Sequence, residues 1–159
     1  MTQHVLIYSW LLYQYEKQVE TRFILHDTAA REVSDFYTYY NSSVAGGTRV
    51  ESAYRLVNEI VETGNLAQDY NIYVFHGTDG DDWDSDGKDT IPEIRRTLGF
   101  ASRVGVTIAV PGTDRTTSVE KYITSSGILE EYPLGIRMDV VGENASEVRL
   151  IEGIKKLLS

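Results

Sequence analysis

Apolar positions along the chain fall into helical and strand-like periods that alternate almost from end to end. Val5, Tyr8, Leu12, Tyr15 and Val19 recur at the spacing of one helix face, and Leu6, Trp10, Leu11 and Tyr13 widen it. The chain is therefore expected to open with a helix that has a broad buried side. Thr21 to Thr28 reads as a strand ending in His26-Asp27, Arg31 to Ser34 as a short edge strand, and Asp35 to Tyr40 as an aromatic connector. Gly46-Gly47-Thr48 opens a second helix with Val50, Ala53, Val57 and Ile60 on one face. The β-branched and aromatic run Ile72, Tyr73, Val74 and Phe75, closed by Gly77 and Gly80, is a buried strand. A third helix is expected from about Ile91 to Val104, and then a strand from Val106 to Val110 that ends in Pro111-Gly112-Thr113-Asp114. The pattern continues with a short helix near Val119 to Ser125. Leu134, Ile136, Met138 and Val140 follow as an alternating strand, and a last helix runs from about Ser146 to Leu158.

This alternation predicts one α/β domain over residues 1–159, built on a Rossmann-like, doubly wound and mostly parallel sheet. No repeat, low-complexity segment or linker interrupts it. One feature departs from the pattern: a helix, not a strand, comes first.

In such sheets ligands bind at the carboxyl ends of the strands. Asp27, Thr48, Asp79, Asp81 and Asp114 could share that edge, where hydroxyl and carboxylate oxygens suit Mg²⁺ or Mn²⁺. Each also has a plainer reading. Thr48-Arg49-Val50-Glu51 and Thr90-Ile91-Pro92-Glu93 both spell capping boxes, and Asp27, Asp79 and Asp114 suit turns. Asp82, Asp84, Asp86, Gly87 and Glu93 match an EF-hand loop position for position, but a strand and two glycines precede them where a helix is required. His26 and His76, at or near strand ends, read as hydrogen-bonded structural histidines. Trp83 and the tyrosines Tyr37, Tyr39 and Tyr40 read equally as connector packing or as a recognition surface.

Charge narrows the partners. The net charge of -9 makes the phosphate interaction repulsive, which argues against nucleic acid and anionic membranes. With no cysteine, disulfides, thiolate metal sites and cysteine nucleophiles are excluded. The longest apolar run, Val5 to Tyr13, is broken by Ser9 and falls short of the roughly 20 residues a spanning helix needs. Without a basic leader or cleavage site, the expected compartment is the cytoplasm.

From about His4 to Asp86 the chain resembles the YeaH/YhbH family, a branch of von Willebrand factor A-like domains. The stretches that carry the likeness are F-I-L-H-D-T-A-A-R-E-V at Phe23 to Val33, G-G-T-R-V-E-S-A-Y at Gly46 to Tyr54, and N-I-Y-V-F-H-G-T-D-G-D-D-W-D-S-D at Asn71 to Asp86. The family more often has Ser-Asp-Gly-Asp-Asn-Trp in the last, so Thr78 and Asp82 are departures. The resemblance implies a metal-ion-dependent adhesion site in which Thr48 and Asp79 take the places of the family's threonine and aspartate, with Asp81 beside them. The family's first motif, D-x-S-x-S, is absent. This implies a domain truncated at its N-terminus, without the first central strand, and a metal site too incomplete for more than weak Mg²⁺ or Mn²⁺ binding. The slot so left would be closed by direct pairing of its flanking strands, by a segment of a second copy in a homo-oligomer, or by a longer N-terminus.

The expected function is a non-enzymatic protein-interaction module. The resemblance suggests stress response or sporulation, with a serine protein kinase system as partner. The alternative is a Mg²⁺-dependent phosphotransfer or nuclease-type enzyme using the carboxylates of the sheet edge.

Overall fold

The longest strand explains the architecture. In Ala101–Val110, here β4, the residues Val104, Gly105, Val106, Thr107 and Ile108 are all buried, so both faces of the strand are covered. A near-continuous buried run is the mark of a central strand in a parallel sheet with helices on both sides. The computed structural model, described here for residues 2–16, 18–42, 48–112 and 115–159, shows that arrangement. β4 lies between β3 (Ile72–Thr78) and β5 (Ile136–Gly142), and both pairings are parallel. The register sets Val74 beside Val104, and Val104 beside Ile136.

On one face, Val104, Val106, Ile108 and Val110 form the core with α3 (Val50–Thr63), α4 (Thr90–Leu98), α5 (Ser118–Ser125) and α6 (Ile128–Glu131). Tyr54, Ile94, Tyr122 and Ile128 are at most 2% exposed there. Beneath the other face run α1 (Thr2–Gln14) and α7 (Glu147–Leu158), with a polar tie through the middle. The Thr107 hydroxyl donates to the Gln3 side chain (2.8 Å), and the Gln3 amide donates to Asp139 (3.3 Å). Asp139, 2% exposed, also accepts two hydrogen bonds from the Arg149 guanidinium, at 2.6 and 3.0 Å. A buried carboxylate requires such pairing. The pairing fixes α1 and α7 to the same pair of strands.

The remaining strands stand apart. β1 (Phe23–His26) pairs antiparallel with β2 (Ala30–Val33) as a separate hairpin. The single, mostly parallel sheet expected from the sequence is therefore two sheets, one of two strands and one of three. Direct pairing of β1 with β3 does not occur, and the hairpin is held by packing instead. Phe23 meets Tyr8 of α1 edge-on, and Tyr8 stacks on Phe36 of α2 (Phe36–Asn41) at 4.4 Å between ring centroids.

Several local expectations are corrected. The first helix ends at Gln14, not Val19. The aromatic connector is helix α2, because Asp35 caps it by accepting the Thr38 amide at 2.7 Å. The third helix stops at Leu98, where the Gly99 amide bonds back onto its last carbonyls, and β4 starts at Ala101. Neither capping box forms. Arg49, not Thr48, precedes α3 without a side-chain cap, and Glu51 pairs with Arg49 and Arg55. Glu93 instead receives the Asn58 amide at 2.7 Å. Gly46-Gly47, Thr113 and Asp114 lie outside the described residues. No described helix is long and apolar enough to cross a membrane.

Candidate functional site

Three loops meet where β1 and β3 end, and backbone hydrogen bonds stitch them. The Arg49 amide donates to the Asp27 carbonyl (2.7 Å), and the Trp83 amide donates to the Thr48 carbonyl (3.0 Å). These bonds bring the turn after β1, the entry to α3 and the acidic loop after β3 to one end of the molecule. Within the acidic loop, Asp79 accepts the Asp81 amide at 3.2 Å and Thr78 Oγ1 accepts the Gly80 amide at 3.0 Å. Gly80 has φ 87°, and a Cβ there would lie 2.3 Å from Thr117 Oγ1, so both conformation and space demand glycine.

The carboxylates of this loop divide by burial. Asp82 is 9% exposed and accepts from the Val50 amide (3.3 Å), the Asp84 amide (3.3 Å), the Thr90 hydroxyl (3.3 Å) and the Tyr122 hydroxyl (3.1 Å). It caps α3 from across the fold, in the role the sequence suggested for Thr48. Asp84 accepts the amides of Lys88, Asp89 and Thr90 at 2.8–2.9 Å and so caps α4. Burial acts to raise the Asp84 pKa, but the amides and the Thr90 hydroxyl outweigh it and hold the carboxyl below its ordinary range. These residues are ligand positions in the EF-hand pattern, yet their oxygens serve helix starts and core hydroxyls.

Of the expected metal-site residues, Thr48 is half-buried at the approach to α3, and Asp79 and Asp81 are exposed on the turn after β3. Asp81 pairs with Arg115 at 2.6 Å. Asp27 is taken up by its own turn, accepting the Ala29 amide at 3.1 Å and pairing with Arg31. Among the described residues, no three His, Asp or Glu side chains gather closely enough to hold a metal. A cavity of about 430 Å³ opens beside the loop, between Arg49 and Glu51 on one side and Trp83, Asp86 and Asp89 on the other.

His26 and His76 are hydrogen-bonded, as the sequence suggested, but to each other, a pairing that sequence reasoning missed. The Tyr54 hydroxyl is 3.3 Å from His76 Nδ1, and His76 Nε2 is 3.1 Å from His26 Nε2, which bridges the two sheets. His26 Nδ1 is buried without a partner. His4 Nδ1 is 2.8 Å from the Tyr39 hydroxyl, and its ring lies against Gly77. Burial lowers all three pKa values: His4 to about 4, His76 well below its ordinary value, and His26 less, because Asp82, Asp27 and Asp79 partly offset the effect. The positions of His26 and His76 at neighbouring strand ends were the only signal in the sequence.

Residues 2–125 match the model of a family described as "Protein of unknown function (DUF444)". The chain belongs to this family. Its relatives include a UPF0229 protein of Legionella pneumophila (strain Corby), 44% identical over 82 residues, which are 52% of this chain and 19% of that protein. A UPF0229 protein of Ruminiclostridium cellulolyticum is 30% identical over 109 residues, 69% of this chain and 27% of that protein. Another, from Pseudomonas putida strain F1, is 43% identical over 82 residues. The chain thus spans about a fifth to a quarter of the length of these curated relatives. No solved structure matches.

Proposed function

We propose that this DUF444 chain is a non-enzymatic protein-interaction module of the von Willebrand factor A-like, YeaH/YhbH type, with an incomplete metal-ion-dependent adhesion site. The observation that carries this reading is the stitching of the loops at one sheet end, with Thr48 and Asp79 on adjoining segments. Thr48, Asp79 and Asp81 supply two or three oxygens to Mg²⁺ or Mn²⁺, and water completes the octahedron. Exchanging water for so few protein oxygens gains little, so binding is weak. The buried carboxylate of Asp82 and the half-buried one of Asp84 accept hydrogen bonds from helix starts and core hydroxyls, which removes the obvious acid and base from catalysis. β1 and β3 share no backbone pairing, and the edge of β3 is read as a place where a strand of a second copy could add in a homo-oligomer. A serine protein kinase system and a role in stress response or sporulation are the partner and process that the resemblance supplies.

Calorimetric titration with Mg²⁺ and Mn²⁺, alongside phosphatase and nuclease assays, tests the reading. Dissociation constants weaker than about 0.1 mM, lost on Asp79→Ala, with no metal-dependent hydrolysis, are expected. Mg²⁺-dependent turnover abolished by Asp79→Ala would replace this reading with the enzymatic one.

A further inference from the structure

Every histidine of the sequence, His4, His26 and His76, lies where α1, β1 and β3 meet. Two of them face each other in a geometry that suits more than a hydrogen bond. Nε2 of His26 and Nε2 of His76 are 3.1 Å apart, with ring centroids 5.0 Å apart and planes inclined by 55°. Between two neutral imidazoles only one of these nitrogens carries a proton, so the other presents a lone pair. His76 is held from behind by the Tyr54 hydroxyl at 3.3 Å, itself on a side chain 2% exposed. When His76 Nδ1–H donates to that hydroxyl oxygen, the His76 Nε2 lone pair points at His26. A hydrogen bond of this kind to the other ring nitrogen fixes the tautomer and ring plane of metal-ligating histidines. The Asp82, Asp27 and Asp79 carboxylates also put a negative field on His26.

We propose that His26 and His76 form a two-nitrogen chelate for a divalent transition-metal ion of the Zn²⁺, Co²⁺ or Ni²⁺ class, held between the hairpin and the parallel sheet. The inference deepens the metal reading given above and rests on it for the sheet end concerned. It adds a second, imidazole-nitrogen position beside the hydroxyl and carboxylate oxygens. With metal–nitrogen bonds of about 2.0–2.1 Å, two nitrogens at this separation subtend roughly 100° at the ion, between the octahedral and tetrahedral angles. The protons balance without a change of charge. The Nε2 that carries the shared proton releases it as the same ring takes one up at Nδ1, and His26 Nδ1 has no other partner to prevent this. Imidazole suits Zn²⁺, Ni²⁺ and their neighbours, whereas Mg²⁺ prefers carboxylate and water. Among the described residues no third His, Asp or Glu side chain completes a cage, so the two imidazoles are the protein ligands.

Co²⁺ titration of the whole chain, followed by visible d–d absorption and reversed with Zn²⁺, tests the proposal. Saturable binding is expected, weakened by at least about tenfold in His26→Asn and by about tenfold in Tyr54→Phe, which removes only the orienting hydroxyl. Asp79→Asn, which abolishes the oxygen site, leaves Co²⁺ binding in place, so loss of Mg²⁺ or Mn²⁺ binding there judges the earlier reading separately. Nitrogen-15 spectra of the wild-type rings with Zn²⁺ guard against a misfolded variant: Nε2 of His26 and His76 shifts, and the His4 ring does not. Equal Co²⁺ affinity in folded His26→Asn and wild type, or no shift at either Nε2, overturns the chelate.

Discussion

Replacing Asp82 probes the joint on which this end of the molecule depends. Its two oxygens accept four hydrogen bonds, three of them from residues distant in sequence: the Val50 amide, the Thr90 hydroxyl and the Tyr122 hydroxyl. Val50 and Thr90 are fully buried, and Tyr122 is 1% exposed. Asp82→Ala strands three donors where water does not reach, at about 1–3 kcal/mol for each group left unpaired. The two hydroxyls can turn toward other acceptors, whereas the Val50 amide cannot. The lower end of the range is therefore the better guide, about 3–4 kcal/mol in all, out of a typical total of about 5–15 kcal/mol. Asp82→Asn keeps the shape and one carbonyl oxygen for the Val50 amide, and its NH₂ can donate to hydroxyls that reverse their roles. It should cost about half as much or less. Urea unfolding followed by far-UV circular dichroism measures both, with unchanged m-values as the check that stability alone has moved. If Asp82→Ala fell within about 1 kcal/mol of wild type, or if Asn and Ala were equally destabilising, Asp82 would not be the buried acceptor described.

Three further outcomes are expected. With chelator present, unfolding stability should be constant from pH 8 to about 6.5 and then fall toward pH 5. The histidine pKa values are depressed in the folded state, so the unfolded chain takes up protons first once the pH drops below its own value near 6.5. Each histidine contributes up to about 1.4 kcal/mol per pH unit, and a flat profile over this window would show that the three rings are not buried neutral. Gly80→Ala should cost more than about 2 kcal/mol, because the left-handed backbone and the Thr117 clash add, whereas Gly127→Ala, at φ 74° with open space around it, should cost about 1 kcal/mol. Equal losses in a thermal melt would mean that the turn after β3 relaxes away from Thr117. In Tb³⁺ titrations sensitised by Trp83, luminescence should be weak and largely removed by salt, since Asp82 and Asp84 already hold protein donors. Saturation at low micromolar Tb³⁺, abolished by Glu93→Gln, would restore the EF-hand reading.

The sequence by itself determined the elements whose signal is local. β3 was legible because four β-branched or aromatic residues stand in a row, although the strand runs on through Gly77 to Thr78, and α7 because its apolar period begins just past Ser146, which accepts the Arg149 amide at 3.3 Å. The presence of Thr48 and Asp79 on segments leading to one sheet end was legible too, since strand ends in this pattern of elements converge. Tertiary structure alone decided which acid caps which helix. Thr48 and Thr90 sit in capping-box spacing, but Asp82 and Asp84 reach those helix starts through space and satisfy them instead. A capping box competes with any nearby carboxylate for the same amide, and sequence spacing does not reveal that rival. The split of the sheet was likewise hidden. Phe23 to His26 reads as a strand whichever edge it joins, because side-chain alternation records which faces are buried and says nothing of the hydrogen-bonding neighbour. The pairing of His26 with His76 depends on that same placement. Two strands without mutual backbone bonds bring the rings within 3.1 Å of each other because α1, α2 and α3 pack the hairpin against the sheet.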